Sequence, residues 1–118
     1  MEGKKIQTRS QLRAQIAFNC VSGVHSKGGD YKKLSKKFPA LVHTCGLTQA
    51  IAFVQGKEKN LGQRYLEDIA GIISPEKTVD LAERSRNADL IEYQHITRDV
   101  IDAATWLKRY SEALLEDD

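Results

Sequence analysis

The sequence predicts an all-α fold, a single-domain compact helical bundle of about five to seven helices, on three observations. Apolar residues recur at three- and four-residue spacing along most of the chain, and glycines and prolines punctuate those stripes. No stretch alternates apolar and polar residues with period two between turn residues, and no internal repeat or low-complexity segment is present. At 118 residues the chain is of single-domain size and buries around 65% of its unfolded surface. Residues 1–8 and 116–118, which carry no stripe, are expected to be flexible ends of that domain.

The first helix is expected from about Ser10 to Ser26, where Leu12, Ile16, Cys20 and Val24 sit four apart with Val21 beside them. Gly28-Gly29 should stop it, and Asp30 should cap a helix from Tyr31 to Phe38. Tyr31, Leu34 and Phe38 share the inner side of that helix, leaving Lys32, Lys33, Lys36 and Lys37 as a stripe on the other. Proline is comfortable only in the first turn of a helix, so the chain is expected to bend at Phe38-Pro39 and start again. Leu47, Ala50, Ile51 and Val54 fall at i, i+3, i+4 and i+7 of the next helix, with Phe53 widening the buried face, and the helix should end near Gln55-Gly56. Gly46 inside this pattern costs roughly 1 kcal/mol against alanine and marks a kink or a close backbone approach.

Leu61 to Ile73 gives Tyr65, Leu66, Ile69 and Ile73 at helical spacing. Ser74-Pro75-Glu76 then offers an N-cap, a proline at the first position and an acid in the first turn of a further helix, with a break near Asn87. Leu90, Tyr93 and Ile96 continue inward. Thr97 is expected to cap a last helix to about Leu115, with Val100, Ile101, Ala104, Leu107 and Leu114 on its inner face.

Composition narrows the function classes. No apolar run reaches the ~18 residues of a membrane span, and Met1-Glu2-Gly3-Lys4-Lys5 leads into polar residues rather than an apolar signal core, so a cytoplasmic protein is expected. Cys20 and Cys45 are too few for a disulfide framework and read as small buried hydrophobes. Residues 1–37 hold nine Lys or Arg against two acids, a charge of +7, while residues 38–118 hold nine against fourteen, a charge of −5. Such asymmetry suits one surface for polyanions and another that docks on a basic partner; a solvated lysine face is the plainer account.

Catalytic constellations are thin. His43 and Cys45 are two apart and diverge on a helix, and no CxxC or HxxxH pair exists, so no metal site and no cofactor are expected. His95 and Asp99 lie four apart, and Asp99 and Asp102 form an i, i+3 acid pair that usually means a solvated face. No phosphate loop or Ser-His-Asp set accompanies them, so no catalytic residue is assigned. Trp106, beside Leu107 and Tyr110, reads as packing rather than a base-stacking platform.

Pro39, then Gly46-Leu47, Gln49-Ala50, Ala52-Phe53 and Lys57, followed by Tyr93, Thr97 and Trp106-Leu107-Lys108-Arg109-Tyr110, resemble the small subunit of the type III-B (Cmr-type) CRISPR RNA-guided effector complex. The resemblance runs from about Leu12 to Leu114 and departs from the pattern in two places, at His43-Thr44-Cys45 and over Asn87 to Asp89. It implies a non-catalytic subunit of an RNA-targeting antiviral complex, whose partners are other subunits, further copies of itself, and guide and target RNA held through the backbone. No small-molecule substrate and no membrane partner are implied. Lys57 and Lys108-Arg109 match positions in the two motif blocks, and the resemblance makes Lys57 and Arg109 the first candidate RNA contacts, with Lys108 and Arg64 behind them, joined by the stripe Lys32, Lys33, Lys36 and Lys37. An exposed cation or a salt bridge between subunits is the plainer account of each.

The rival class is a helix-turn-helix DNA-binding protein, or a free helical adaptor domain. Ile69-Ala70-Gly71 through Leu81 superficially resembles the former, but placing Ala70 at the small position puts Ser74 at the turn and Asp80 at an aliphatic position. Glu67, Asp68, Glu76, Asp80 and Glu83 would also repel phosphate.

Overall fold

A computed structural model of the chain describes residues 6–24, 28–57 and 59–116, with the backbone alone at Lys57 and Lys59. Among these residues there are six helices and no strand: α1 (Arg9–Ser22), α2 (Gly28–Cys45), α3 (Leu47–Lys57), α4 (Lys59–Ile73), α5 (Leu81–Asn87) and α6 (Leu90–Leu114). They form a slab of about 47 × 39 × 21 Å. α6, 25 residues and about 37 Å long, lies against α1, α2 and α4, while α3 joins α2 to α4 and α5.

Thr8 starts α1 through a capping box, its hydroxyl accepting from the Gln11 amide at 3.0 Å while the Gln11 side chain accepts from the Thr8 amide at 2.8 Å. The helix stops at Ser22, short of Ser26, where the Gly23 amide turns back to the Asn19 and Cys20 carbonyls. Its buried face is Arg13, Ala17 and Val21, one residue round from the expected stripe, so that Leu12 is exposed and Ile16, Cys20 and Val24 pack at the edge.

α2 departs most from expectation. It begins at Gly28, which places Asp30 in the first turn rather than at the cap, and it runs without interruption through Pro39. Proline removes one intrahelical bond. Burial of Tyr31, Ser35, Phe38 and Val42 along one face holds the helix together across that gap. The break comes instead at Gly46, whose φ of +85° is the left-handed conformation that glycine adopts freely. Its amide closes α2 on Val42 O at 2.9 Å, and its carbonyl accepts the first bond of α3 from Ala50 at 3.0 Å.

Gly62 brings α3 and α4 together, since a Cβ there would stand 2.6 Å from the Val54 carbonyl oxygen. Ser74-Pro75-Glu76 starts no helix: the Ser74 amide closes α4 on Ala70, and Lys77-Thr78-Val79 offers no apolar face to bury. α5 begins six residues later under Asp80, whose carboxylate accepts from the Glu83 amide, and turns Leu81, Ala82 and Ser85 inward.

Asp89 caps α6 by accepting from Glu92. Thr97 caps nothing; its hydroxyl donates to Tyr93 O at 2.8 Å inside an unbroken helix. Ile96, Val100, Ala103, Ala104 and Leu107 are buried, whereas Leu90 at 71% and Leu114 at 45% exposure lie outside the core. Trp106 is half-buried, stacked on Tyr110 at 5.9 Å, and Tyr110 in turn meets Phe18 of α1 edge-on at 5.6 Å.

Candidate nucleic-acid interface

The groups considered for chemistry are dispersed. Among the described residues no three His, Cys, Asp or Glu converge on one point; His43, Cys45 and His95 are exposed on separate helix faces, and His25 lies outside the described residues. Cys45 is therefore not the buried hydrophobe expected. Cys20 is half-buried, and burial together with the nearby Asp68 carboxylate pushes its thiol up to about 12, far from a nucleophile's range. Asp99 and Asp102 are not a free acid pair: both accept from the buried Arg13 guanidinium, at 3.1 and 2.8 Å, and tie α1 to α6. Burial works against the Arg13 charge, and the two carboxylates more than offset it.

The cationic side chains are distributed by the pairing of α2 with α6. Lys32 donates to the Leu115 carbonyl at 3.2 Å, and three residues further along α2 Ser35 accepts from the Ser111 hydroxyl at 3.2 Å. The two helices are therefore antiparallel. Lys36, one turn beyond Lys32, and Lys108, one turn before Ser111, border the same seam. Lys33 and Lys37 lie on the other flank, over α3 and α4, where the Lys37 ammonium sits 5.7 Å from the centre of the Phe53 ring. Lys33, Lys36 and Lys37 are exposed and Lys108 half-buried. Arg109 is exposed on the outer side of α6.

Two candidates stand apart. Arg64 is tethered, with 43% of its side chain still exposed: it donates to Cys20 O at 3.1 Å, lies 3.7 Å from Asp68, and covers the Tyr31 ring at 5.8 Å. Lys57 ends α3, and its side chain lies outside the described residues. Phe53, expected in the core, is 41% exposed. It sits about 100° round the helix from Val54, off the centre of the buried stripe, which is the signal that would have marked it as a flank position.

Beneath Arg64 is a buried polar group. Tyr31 donates to Asp68 at 2.6 Å, and its ring meets Tyr65 edge-on, as does that of Phe38. Burial pushes the Asp68 carboxyl above its usual range, although Tyr31, Arg64 and Cys20 pull it down. Tyr65 is fully buried and its hydroxyl has no hydrogen-bond partner among the described residues.

The helix-turn-helix alternative is not favoured. Seven residues, 74–80, separate α4 from a seven-residue α5, where that motif joins its helices by a tight turn of about three or four.

Comparison with known proteins agrees with this architecture. Residues 9–114 match the family described as CRISPR-associated protein (Cas_Cmr5). The Thermus thermophilus protein named CRISPR system Cmr subunit Cmr5 is 38% identical over 115 residues, covering 95% of this chain and all of that one. The crystal structure of a CRISPR-associated Cmr5 family protein from Thermus thermophilus superposes with a TM-score of 0.84 at 38% identity, over 94% of this chain and all of that one. A six-helix slab matched along nearly its whole length by sequence and by shape places this chain in the Cmr5 family, the type III-B Cmr subunits of CRISPR systems.

Proposed function

We propose that the chain is a non-catalytic small subunit that works in the cytoplasm, stacks with further copies of itself and with other subunits of a Cmr-type complex, and helps hold guide and target RNA. The observation that carries the RNA-holding part is the row of exposed lysines on α2, Lys33, Lys36 and Lys37, extended across the α2–α6 seam by Lys108, with Arg109 behind it and Lys57 at the end of α3. Lysines spaced one turn apart offer cations about 6 Å apart along an axis, which suits a phosphate backbone and reads no base edge.

Stacking needs two different complementary patches. Glu67, Glu76 and Asp80 are exposed around the 74–80 segment and border two shallow grooves of about 600 and 590 Å3, whose apolar walls include Ile16, Ala70 and Leu81. This acidic side is the counterpart offered to the basic side of the next copy.

The test is to tag the protein in its native host, purify it gently, and identify co-purifying proteins by mass spectrometry and RNA by sequencing. Recovery of effector subunits with short guide RNAs is expected. Recovery of the chain alone, or with a double-stranded DNA site, would overturn the reading.

A further inference from the structure

One of the two acid-rimmed grooves, of about 600 Å3, runs between Ile16 of α1 and the last turns of α4, and Gly71 lies in its wall. We propose that a second copy of the chain docks in this groove through the outer side of its α2, with Ala40 of the incoming helix against Gly71 and Lys36 beside Glu67. The proposal rests on the stacking reading above, names the two elements that meet, and assigns Lys36 of the α2 row to the neighbouring copy.

Gly71 is a residue that the fold of one copy does not explain. Glycine is the poorest helix former after proline. At Gly62 a close backbone requires it, but a Cβ at Gly71 would meet nothing within 4 Å, and only Gly46 among the described glycines has a positive φ. An open glycine in a groove wall lets the backbone of a second helix approach to an interaxial distance of about 8 Å. Glu67, Gly71 and Ser74 fall at i, i+4 and i+7 on one face of α4. Lys36, Ala40 and His43 repeat that spacing on the exposed side of α2, where Ala40 is the smallest side chain. The groove carries Glu67 and Glu76 against the single cation Lys77, so its net charge suits an incoming lysine.

Placement and direction agree with this pairing. α1 meets α6 at Asp102 and α2 meets it at Ser111, about two and a half turns further on, so the two helices flank α6 on opposite faces. The groove is on the α1 side and the lysine row on the α2 side, as an open stack requires. α1 runs with α6, because Arg13 meets Asp99 and Asp102 while Phe18 meets Tyr110. α4 runs against α1, because Arg64 reaches Cys20 while Gly71 shares the groove with Ile16. Since α2 also runs against α6, α2 and α4 point the same way. A neighbour stacked in the same orientation therefore presents Lys36 to Glu67 one turn before the Ala40–Gly71 contact, and His43 to Ser74 one turn after it.

The experiment is sedimentation velocity of the intact chain over a concentration series at low salt. Gly71→Ala is expected to weaken association about tenfold, while the thermal midpoint of the dilute monomer is unchanged or higher; a role inside the fold would lower that midpoint instead. Glu67→Lys should weaken association as well, and Lys36→Glu in the same chain should restore it. On a Cys45→Ser background, Lys36→Cys with Glu67→Cys should give a disulfide ladder of trimers and longer species under mild oxidation. A ladder that stops at dimers would mean a two-fold pair and overturn the proposal. If the wild-type chain associates but neither Gly71→Ala nor the charge reversal alters it and no ladder forms, the groove is wrong and the stacking reading stands. If the wild-type chain stays monomeric at every concentration, both are overturned.

Discussion

Two tyrosines in contact at the centre of the molecule have opposite hydrogen-bond balances. The Tyr31 hydroxyl satisfies Asp68 at 2.6 Å, whereas the Tyr65 hydroxyl is buried without a partner among the described residues. An unmet buried hydroxyl costs about 1–3 kcal/mol, and removing one partner of a satisfied pair costs a similar amount. Tyr65→Phe is therefore expected to leave stability unchanged or raise it by up to about 1 kcal/mol, and Tyr31→Phe to lower it by about 1–2 kcal/mol, as read from urea unfolding midpoints. Asp68 adds a pH dependence. Its folded carboxyl titrates above the ordinary value of 3.8, so the folded state binds more protons there than the unfolded one. Its contribution is fully present below the unfolded value and is lost as pH rises through the folded one. Asp68→Asn keeps an acceptor for Tyr31 and removes the charge, so its stability relative to wild type should increase as pH is raised from about 4 through the folded value. A constant difference across that range would show that Asp68 is not desolvated.

At the scale of helices, glycine rather than proline sets the boundaries that matter. Gly46→Ala meets only ordinary contact, 3.7 Å from the Tyr93 hydroxyl, so its cost is the left-handed backbone at φ +85°, about 1–2 kcal/mol. Gly62→Ala meets the Val54 carbonyl at 2.6 Å, which forces α3 and α4 apart and should cost about 1–3 kcal/mol. Thermal unfolding of both variants checks the pair. The helical stripes of α3, α4 and the middle of α6 were legible in the sequence because each buries a face of aliphatic residues at regular spacing. The boundaries at Pro39, Ser74 and Thr97 were misread because each is a strong local signal that tertiary packing overrides: Phe38 and Val42 carry α2 across Pro39, and residues 77–79 give Ser74 nothing to bury. Gly62 and Arg13 could not be read at all. A close approach depends on what lies opposite, and a buried arginine depends on carboxylates 86 and 89 residues away. In the candidate site the lysine row was legible as a charge stripe, while the tethering of Arg64 to Cys20 and Asp68 and the exposure of Phe53 rest on contacts between helices.

For the whole molecule the charge division sets how it meets its partners. Binding of single-stranded RNA through Lys33 and Lys37 is expected to weaken with salt, and replacing both by glutamine should flatten the slope of log affinity against log salt by about 1.4, some 0.7 for each phosphate that a lysine neutralises. An unchanged slope would remove these lysines from the interface. Association between copies should loosen over the same salt range, as followed by sedimentation; indifference to salt would point to an apolar contact instead.

The α1–α6 junction has a practical consequence. Trp106 is the sole tryptophan of the chain, stacked on Tyr110, which is itself edge-on to Phe18 of α1. The protein thus carries a built-in optical reporter of whether its first helix is docked. Cutting the Arg13 tether with Arg13→Met should shift the emission of this one indole to longer wavelength at denaturant concentrations where the remaining helices still hold their circular dichroism.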